Sequence, residues 1–413
     1  MLLYHEKPVS KGVENAIKRA KQMVEVKWTP VRRFSTSTIY RDSNEVRHDI
    51  DTFISAYYPQ QGVNYSSVRC YEKFVGDNVL FETYLSALSN PRSVMYTRSQ
   101  HGQGRAMSGF YGTVCTSFAA YVFDLPVRFP SKTWSTIPGV TEVDAAELEN
   151  LQLCDAVLKI GQHIAIITDI QRDVEGKVRV LTVSESTSPG CVAKDYTPEE
   201  FRGHWLASGY RVFRYAGVHD VPYTPDPFVP VEGDPCMGHP AINTVLQPDY
   251  GNKANYMLGD TVELDIMEEG WTSVEITGPE AAVLPIEEDL KAIFRPSVPG
   301  YYTACCVKDG EKSALVEFRI TNMVLRGDKT VLCKGDTLEL SFETEHGDKV
   351  LGWIIQSPNH AWRQAGFLSD GEYAIGKTEI TVDMASGENY VFVMAEGAFG
   401  RYRSPGFYFH VEE

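Results

Sequence analysis

Gly259-Asp260-Thr261-Val262-Glu263-Leu264 returns 76 residues later as Gly335-Asp336-Thr337-Leu338-Glu339-Leu340. Each copy reads as a β-turn feeding a strand: Gly and Asp supply the turn, and the residues after them alternate polar with apolar, the period of a half-buried strand. A terminal pair of β-rich runs follows each copy, Tyr301 to Val307 with Ser313 to Ile320, and Asn389 to Ala395 with Gly406 to Val411. Between these landmarks lie short β-rich runs broken by Gly, Asp and Asn turns, with almost no helical periodicity. Two units of about 80 to 90 residues suit two small β-sandwiches in tandem.

In period and strand pattern the two units resemble bacterial immunoglobulin-like domains, which places one sandwich at 241–323 and a second at 324–413. One larger β domain with a chance hexapeptide match is the alternative reading. Upstream, six of the 22 prolines fall at 222, 225, 227, 230, 235 and 240. Proline at that density continues neither a helix nor a central strand, so 223–240 is expected to be an extended linker and 1–222 a separate domain.

Length and composition agree with a multidomain reading. At roughly 150 residues per domain, 413 residues imply two or three cores. An apolar fraction of 43% and a charged fraction of 23% exclude a largely disordered or fibrous chain. The net charge of −16 repels phosphate backbones and anionic lipid, so nucleic acid is not an expected partner. The longest strongly apolar stretches, such as Ile164 to Ile167, fall far short of the roughly 20 residues of a membrane helix, and no transmembrane segment is expected. The N-terminal Met-Leu-Leu-Tyr-His-Glu-Lys meets charge before an apolar core can form, so it reads as no secretory leader, and the compartment is left open. The eight cysteines, at 70, 115, 154, 191, 236, 305, 306 and 333, form no C-x-x-C, so no metal site is expected, and their density is too low for a disulfide-stapled scaffold. Cys305 and Cys306 are neighbours in an expected strand, so at most one faces its core.

The first 222 residues mix helix and strand. Val13, Ala16, Ile17, Ala20 and Val24 recur at helical spacing behind Ser10, a suitable N-cap. Thr197-Pro198-Glu199-Glu200 supplies a cap, a first-turn proline and a capping-box glutamate, and Tyr210 to Tyr215 then reads as a strand. Chemistry concentrates in Tyr111-Gly112-Thr113-Val114-Cys115-Thr116-Ser117-Phe118, where a glycine-containing turn delivers Cys115 to the start of an apolar, helix-compatible run. At a helix N-terminus the macrodipole and free backbone amides favour thiolate, which suits a nucleophile. Downstream, Leu153 to Leu158 and His163 to Ile170 read as successive strands with a histidine at the entry of the second. Val178 to Ser186 reads as the hairpin partner, and folding the hairpin returns residues 184 to 188 to His163. A polar residue there would orient the imidazole, but a one-residue slip exchanges Glu185 for its serine neighbours, so the third member stays open between them.

This order of cysteine, histidine strand and hairpin partner resembles the papain-like NlpC peptidases and the related CHAP amidases over roughly residues 10 to 215. The resemblance implies an α+β papain-like domain ahead of the two sandwiches, with Cys115 matching the nucleophile, His163 the general base and Glu185 the third polar residue as CHAP enzymes place it. It implies a cysteine hydrolase of amide or peptide bonds acting on bacterial cell-wall peptides in or outside the cell envelope, with no metal or organic cofactor. The chain departs from the usual Asp-Cys-Ser-Gly with Val114-Cys115-Thr116-Ser117, and Cys154 replaces the glycine usual before the strand aspartate.

Two further functions suit the same residues: a thiol acyltransferase, and a surface binding or adhesion protein whose first domain is a catalytically inactive scaffold. Tyr65, Ser66 and Arg69 offer hydrogen-bond donors in a loop before the nucleophile and are candidate substrate-binding residues, with a polar turn as the plainer reading. His101-Gly102-Gln103-Gly104-Arg105 holds a lone G-x-G without the strand and helix that a nucleotide site demands, and reads as a loop. His204 beside Trp205 reads as a packed or surface histidine.

Overall fold

The computed structural model describes residues 2–41, 47–66, 73–97, 111–219, 245–358, 363–368 and 374–412. The expected linker 223–240, Arg69, the 101–105 segment, Cys70 and Cys236 lie outside the described residues. Among the described residues no helix is long and apolar enough to cross a membrane.

In the first region the helix Lys11–Glu25 begins where its cap allows: Ser10 Oγ accepts the Val13 N–H at 3.2 Å. Its buried stripe of Val13, Ala16, Ala20, Met23 and Val24 packs on the helix Cys115–Val122. The second helix in turn lies on an antiparallel sheet whose strand order is Cys191–Tyr196, Val178–Ser186, His163–Arg172, Ala156–Lys159, Arg211–Tyr215, Val140–Val143, with Tyr4–His5 added beside His163–Arg172. Ile164 to Ile167 are all fully buried, which is why this strand reads as a continuous apolar run and not as an alternation. At the far edge, Thr197 and Glu200 form the capping box that starts the helix Pro198–His204: Thr197 Oγ1 accepts the Glu200 N–H at 3.3 Å and Glu200 Oε2 accepts the Thr197 N–H at 2.8 Å.

Each copy of the hexapeptide does the same thing. Gly259 and Gly335 sit at φ +97° and +96°, a conformation open to glycine. Asp260 Oδ2 accepts the Met257 N–H and Asp336 Oδ2 accepts the Cys333 N–H, both at 2.9 Å, closing the two turns alike. The strands Val262–Ile266 and Thr337–Thr344 follow, burying Val262 and Leu264 in one core and Leu338 and Leu340 in the other. Each becomes the central strand of a three-stranded sheet, between Leu246–Pro248 and Lys291–Phe294 in the first case and between Met323–Gly327 and Ile375–Thr381 in the second. The opposing sheets also correspond. Ala254–Met257, Val316–Thr321, Gly300–Lys308, Ser273–Thr277 and Ala282–Pro285 lie in that order in one; Val331–Cys333, Phe407–Glu412, Gly387–Gly397, Lys349–Gln356 and Arg363–Phe367 do so in the other. In both, the first strand runs parallel to its neighbour and all the other pairings are antiparallel. The chain is thus multidomain and mostly β, and its two sandwiches are compatible with immunoglobulin-like domains. Cys305 and Cys306 are both buried, and only Cys306 joins the sandwich core.

The sequence reading separates the first region from the sandwiches; in the structure they pack together. Residues 389 to 395 are all buried. Val391, Val393 and Ala395 face the core of their own sandwich, while Tyr390, Phe392 and Met394 join the core of the first region, as does Ile354 from the neighbouring strand. Phe367 meets Phe129 edge-on at 5.0 Å between ring centroids. The first sandwich is held by polar contacts, including Asn90 Nδ2 to Asp265 Oδ2 at 2.9 Å and Arg92 Nη1 to the Leu290 carbonyl at 2.9 Å.

The repeat makes its two roles separable. Leu340→Ala is expected to cost about 2–5 kcal/mol through the cavity it opens, whereas Gly335→Ala, which meets nothing within 4 Å, should cost only about 1–2 kcal/mol of left-handed backbone strain. Urea unfolding followed by fluorescence checks the ranking; equal costs would count against this division between core and turn.

Candidate active site

Cys115 occupies the first position of its helix, partly buried. Val114 has no side-chain acceptor to serve as a cap, so the turn is held from the other side. Ser117 Oγ accepts the Val114 N–H at 2.8 Å and lies 2.8 Å from Thr113 Oγ1, which fixes the turn that presents the thiol. Ser186 Oγ donates to the Thr113 carbonyl at 3.1 Å and ties the same turn to the end of the hairpin strand.

The register places the partners. Ile166 lies opposite Ser184, so alternation puts Glu185 on the face that carries Ala165 and His163, and puts Ser184 and Ser186 on the other. His163 Nε2 is 2.6 Å from Glu185 Oε2, which leaves Nδ1 for the thiol. The imidazole and the Cys115 thiol shift each other's ionisation, so Cys115, His163 and Glu185 form one coupled set. Trp205, 1% exposed, stacks parallel to the imidazole at 6.4 Å and 9°, and Tyr210 meets it edge-on at 6.3 Å. These two aromatics fix the plane of the ring and were not singled out as site residues from sequence. Their signal is indirect: Gly209, in left-handed conformation behind the capped helix, turns the chain so that Trp205 and Tyr210 face the sheet.

The electrostatics divide the cysteines. Burial opposes ionisation of Cys115, but the hydrogen bond and charge of His163, helped by the Ile164 and Thr116 amides, outweigh it and hold the thiol below its ordinary value. Burial likewise opposes protonation of His163, and its bonds to Cys115 and Glu185 outweigh that and hold the imidazole above its ordinary range. Both shifts favour a thiolate–imidazolium pair. Burial pushes the Cys154 and Cys191 thiols far up, Cys305 up and Cys306 up to about 12. Burial, with the charges of Glu185 and Cys115, also pushes Tyr210 up to about 12, so its hydroxyl stays protonated beside the pair.

Of the candidate substrate-binding residues, Tyr65 and Ser66 are buried, 7% and 2% exposed, behind the turn that precedes Cys115. Tyr65 bridges Thr113, and the Ser66 N–H donates to the Thr113 carbonyl at 3.2 Å, so both support that turn from within. Their partner in that reading, Arg69, is outside the described residues. His204 packs between Tyr196 and Trp205, away from the thiol chain.

No family model matches this chain, and no curated protein matches it. Solved structures that do match include the Escherichia coli adhesin FdeC, 13% identical over 41% of this chain and 64% of the adhesin chain, with a TM-score of 0.21. Another is the chicken interferon gamma receptor alpha chain, 9% identical over 41% of this chain and 97% of the receptor chain, with a TM-score of 0.22. This chain thus spans less than two thirds of the adhesin it matches. The expected membership of the papain-like NlpC or CHAP families is therefore corrected. The chain finds neighbours among an adhesin and a receptor and matches no peptidase family, so the papain-like label and the cell-wall substrate that rested on it are withdrawn.

A selective test follows from the divided cysteines. Limiting iodoacetamide should alkylate Cys115 first, with the exposed Cys333 as internal reference, and should continue to do so below the ordinary thiol pKa of about 8.5. The rate falls only as pH drops through the depressed pKa of Cys115. His163→Ala should return that midpoint towards the ordinary value and Glu185→Gln should move it part of the way. Peptide mapping in which Cys115 reacts no faster than Cys333 would contradict the assigned ion pair.

Proposed function

We propose that this chain is a cysteine-dependent enzyme, a peptidase or amidase, that opens an amide bond through Cys115. The observation that supports the reading is Cys115 at a helix N-terminus, its ionisation coupled to His163, whose Nε2 lies 2.6 Å from Glu185 Oε2. The Cys115 thiolate attacks the carbonyl carbon and the carbonyl electron pair moves to oxygen, where the first-turn amides, that of Cys115 among them, stabilise it. Collapse expels the amine, which takes its proton from imidazolium His163 and leaves a thioester on Cys115. Water then attacks the thioester and gives a proton to His163; the carboxylic acid departs and the thiolate–imidazolium pair is restored. Glu185 keeps the imidazole oriented and its charge balanced throughout.

A second reading, a surface binding or adhesion protein, draws on the tandem sandwiches, which carry the strand order of modules widely used for recognition. The two are compatible in one chain, with chemistry in the first region and attachment through the sandwiches. They separate on Cys115→Ser, which removes turnover and leaves binding intact.

Incubation with a panel of dipeptide amides and short peptides, read by mass spectrometry, tests the enzyme reading. Cys115→Ser should abolish cleavage without loss of fold, and His163→Ala should slow it by about 10²–10⁴-fold. Because the leaving amine needs imidazolium, cleavage should persist above the ordinary histidine pKa of about 6.5 and fall once pH exceeds the raised value in this site. Cleavage that survives Cys115→Ser undiminished would sink the proposal.

A further inference from the structure

We infer that Arg401, from the second sandwich, is a positioning residue for the nucleophile: it grips the C-terminal end of the helix that carries Cys115 at its N-terminus. This rests on the reading of Cys115 as nucleophile. The helix Cys115–Val122 ends in a tight turn in which the Leu125 N–H reaches back to the Ala120 carbonyl at 2.8 Å, and Asp124 takes φ +52°, an uncommon conformation for a residue with a side chain. Arg401, 8% exposed, donates from Nη1 to the Leu125 carbonyl at 2.6 Å and from Nη2 to Asp124 Oδ1 at 3.0 Å. The strained turn is therefore held by a side chain 276 residues away in the sequence.

Two neighbouring arginines show how the grip reaches the thiol. Arg19, from the helix Lys11–Glu25, donates Nε and Nη2 to the Val122 carbonyl at 3.1 and 2.8 Å, so two guanidinium groups complement the negative end of the helix dipole. At the other end, Arg128 Nη1 is 3.4 Å from Thr116 Oγ1, next to the nucleophile, and Arg128 Nε is 3.8 Å from Asp77. Asp77 is buried and feels the charge of Arg401 as well as that of Arg128. Asp77, whose burial opposes its ionisation against the charges of Arg128 and Arg401, and Arg128 thus lie between Arg401 and the residue after Cys115. The helix is only eight residues long, so a tilt at one end moves the other by a comparable amount. The thiol depends on close approach to His163 and to the Thr116 and Ile164 amides, and a displacement of that kind would weaken all three.

Alkylation of Cys115 measures this without a substrate. In the full chain, Arg401→Gln is expected to slow Cys115 alkylation by about tenfold at neutral pH and to move its pH midpoint upward, with Cys333 labelled at the original rate. Arg401→Lys, which keeps the cation, should recover much of the loss. Asp124→Asn, a residue that tolerates the left-handed turn, keeps the fold and should move the midpoint in the same direction by less. If wild-type Cys115 proves unreactive, the enzyme reading fails. If it is activated, and either folded variant, Arg401→Gln or Asp124→Asn, retains the wild-type rate and midpoint, the positioning role alone is overturned.

Discussion

The contact between the helix Cys115–Val122 and the strand His163–Arg172 is the constraint from which the site follows. It brings a thiol and an imidazole, 48 positions apart in the chain, close enough to shift each other's ionisation, and nothing local to either residue does so. The surroundings remove its freedom: the helix is buried against Lys11–Glu25 on one side and the sheet on another, and its first turn is pinned by Ser117, Thr113 and Ser186. Burial alone would suppress ionisation of both groups. At Cys115 the interactions with His163 outweigh the desolvation cost and hold the thiol below its ordinary value, whereas Cys154 and Cys191, fully buried without an imidazole beside them, are driven the other way.

Features written in local chemistry were legible in the sequence. Ser10 and Thr197 announce their helices because capping needs only neighbouring residues, and the Gly-Asp turn announces its strand for the same reason. The identity of the imidazole's second partner was not legible between Glu185 and the serines beside it, because it depends on register, and register is set between strands. The strand pair His163–Arg172 and Val178–Ser186 contains irregularities between Ile167 and Asp169 and between Gln171 and Arg172, which no count along one chain reveals. Trp205 and Tyr210 were missed because their role depends on where a neighbouring strand puts a histidine ring. The likeness to a peptidase family drew on residue order alone, and residue order is shared by arrangements of separate descent.

The packing of the second sandwich on the first region left one trace in the sequence. Tyr390-Val391-Phe392-Val393-Met394-Ala395 is apolar at every position. A sandwich strand with one face in water alternates; a strand without alternation has two covered faces. That run therefore already required a second apolar surface, and the core of the first region supplies it. What the run did not contain is which surface.

Apolar faces tolerate sliding, so orientation must come from elsewhere, and each junction between regions contains one buried carboxylate close to an arginine. Asp265 of the first sandwich accepts from Asn90 and faces Arg92 of the first region. Asp348 of the second sandwich is paired with Arg319 of the first, is hydrogen-bonded by Tyr402, and is covered by Gly397, where a side chain would collide with the pair. Asp77 of the first region lies near Arg128 and within the field of Arg401 of the second sandwich. Buried pairs of this kind contribute little net stability, because desolvation offsets most of their attraction, while breaking one leaves an uncompensated charge. Their effect is to make every misaligned docking costly. The three carboxylates thus define one arrangement of the three bodies, and the junction at Asp77 and Arg401 is the one that touches the helix Cys115–Val122. Energy from apolar burial and geometry from buried charge are therefore supplied by different residues.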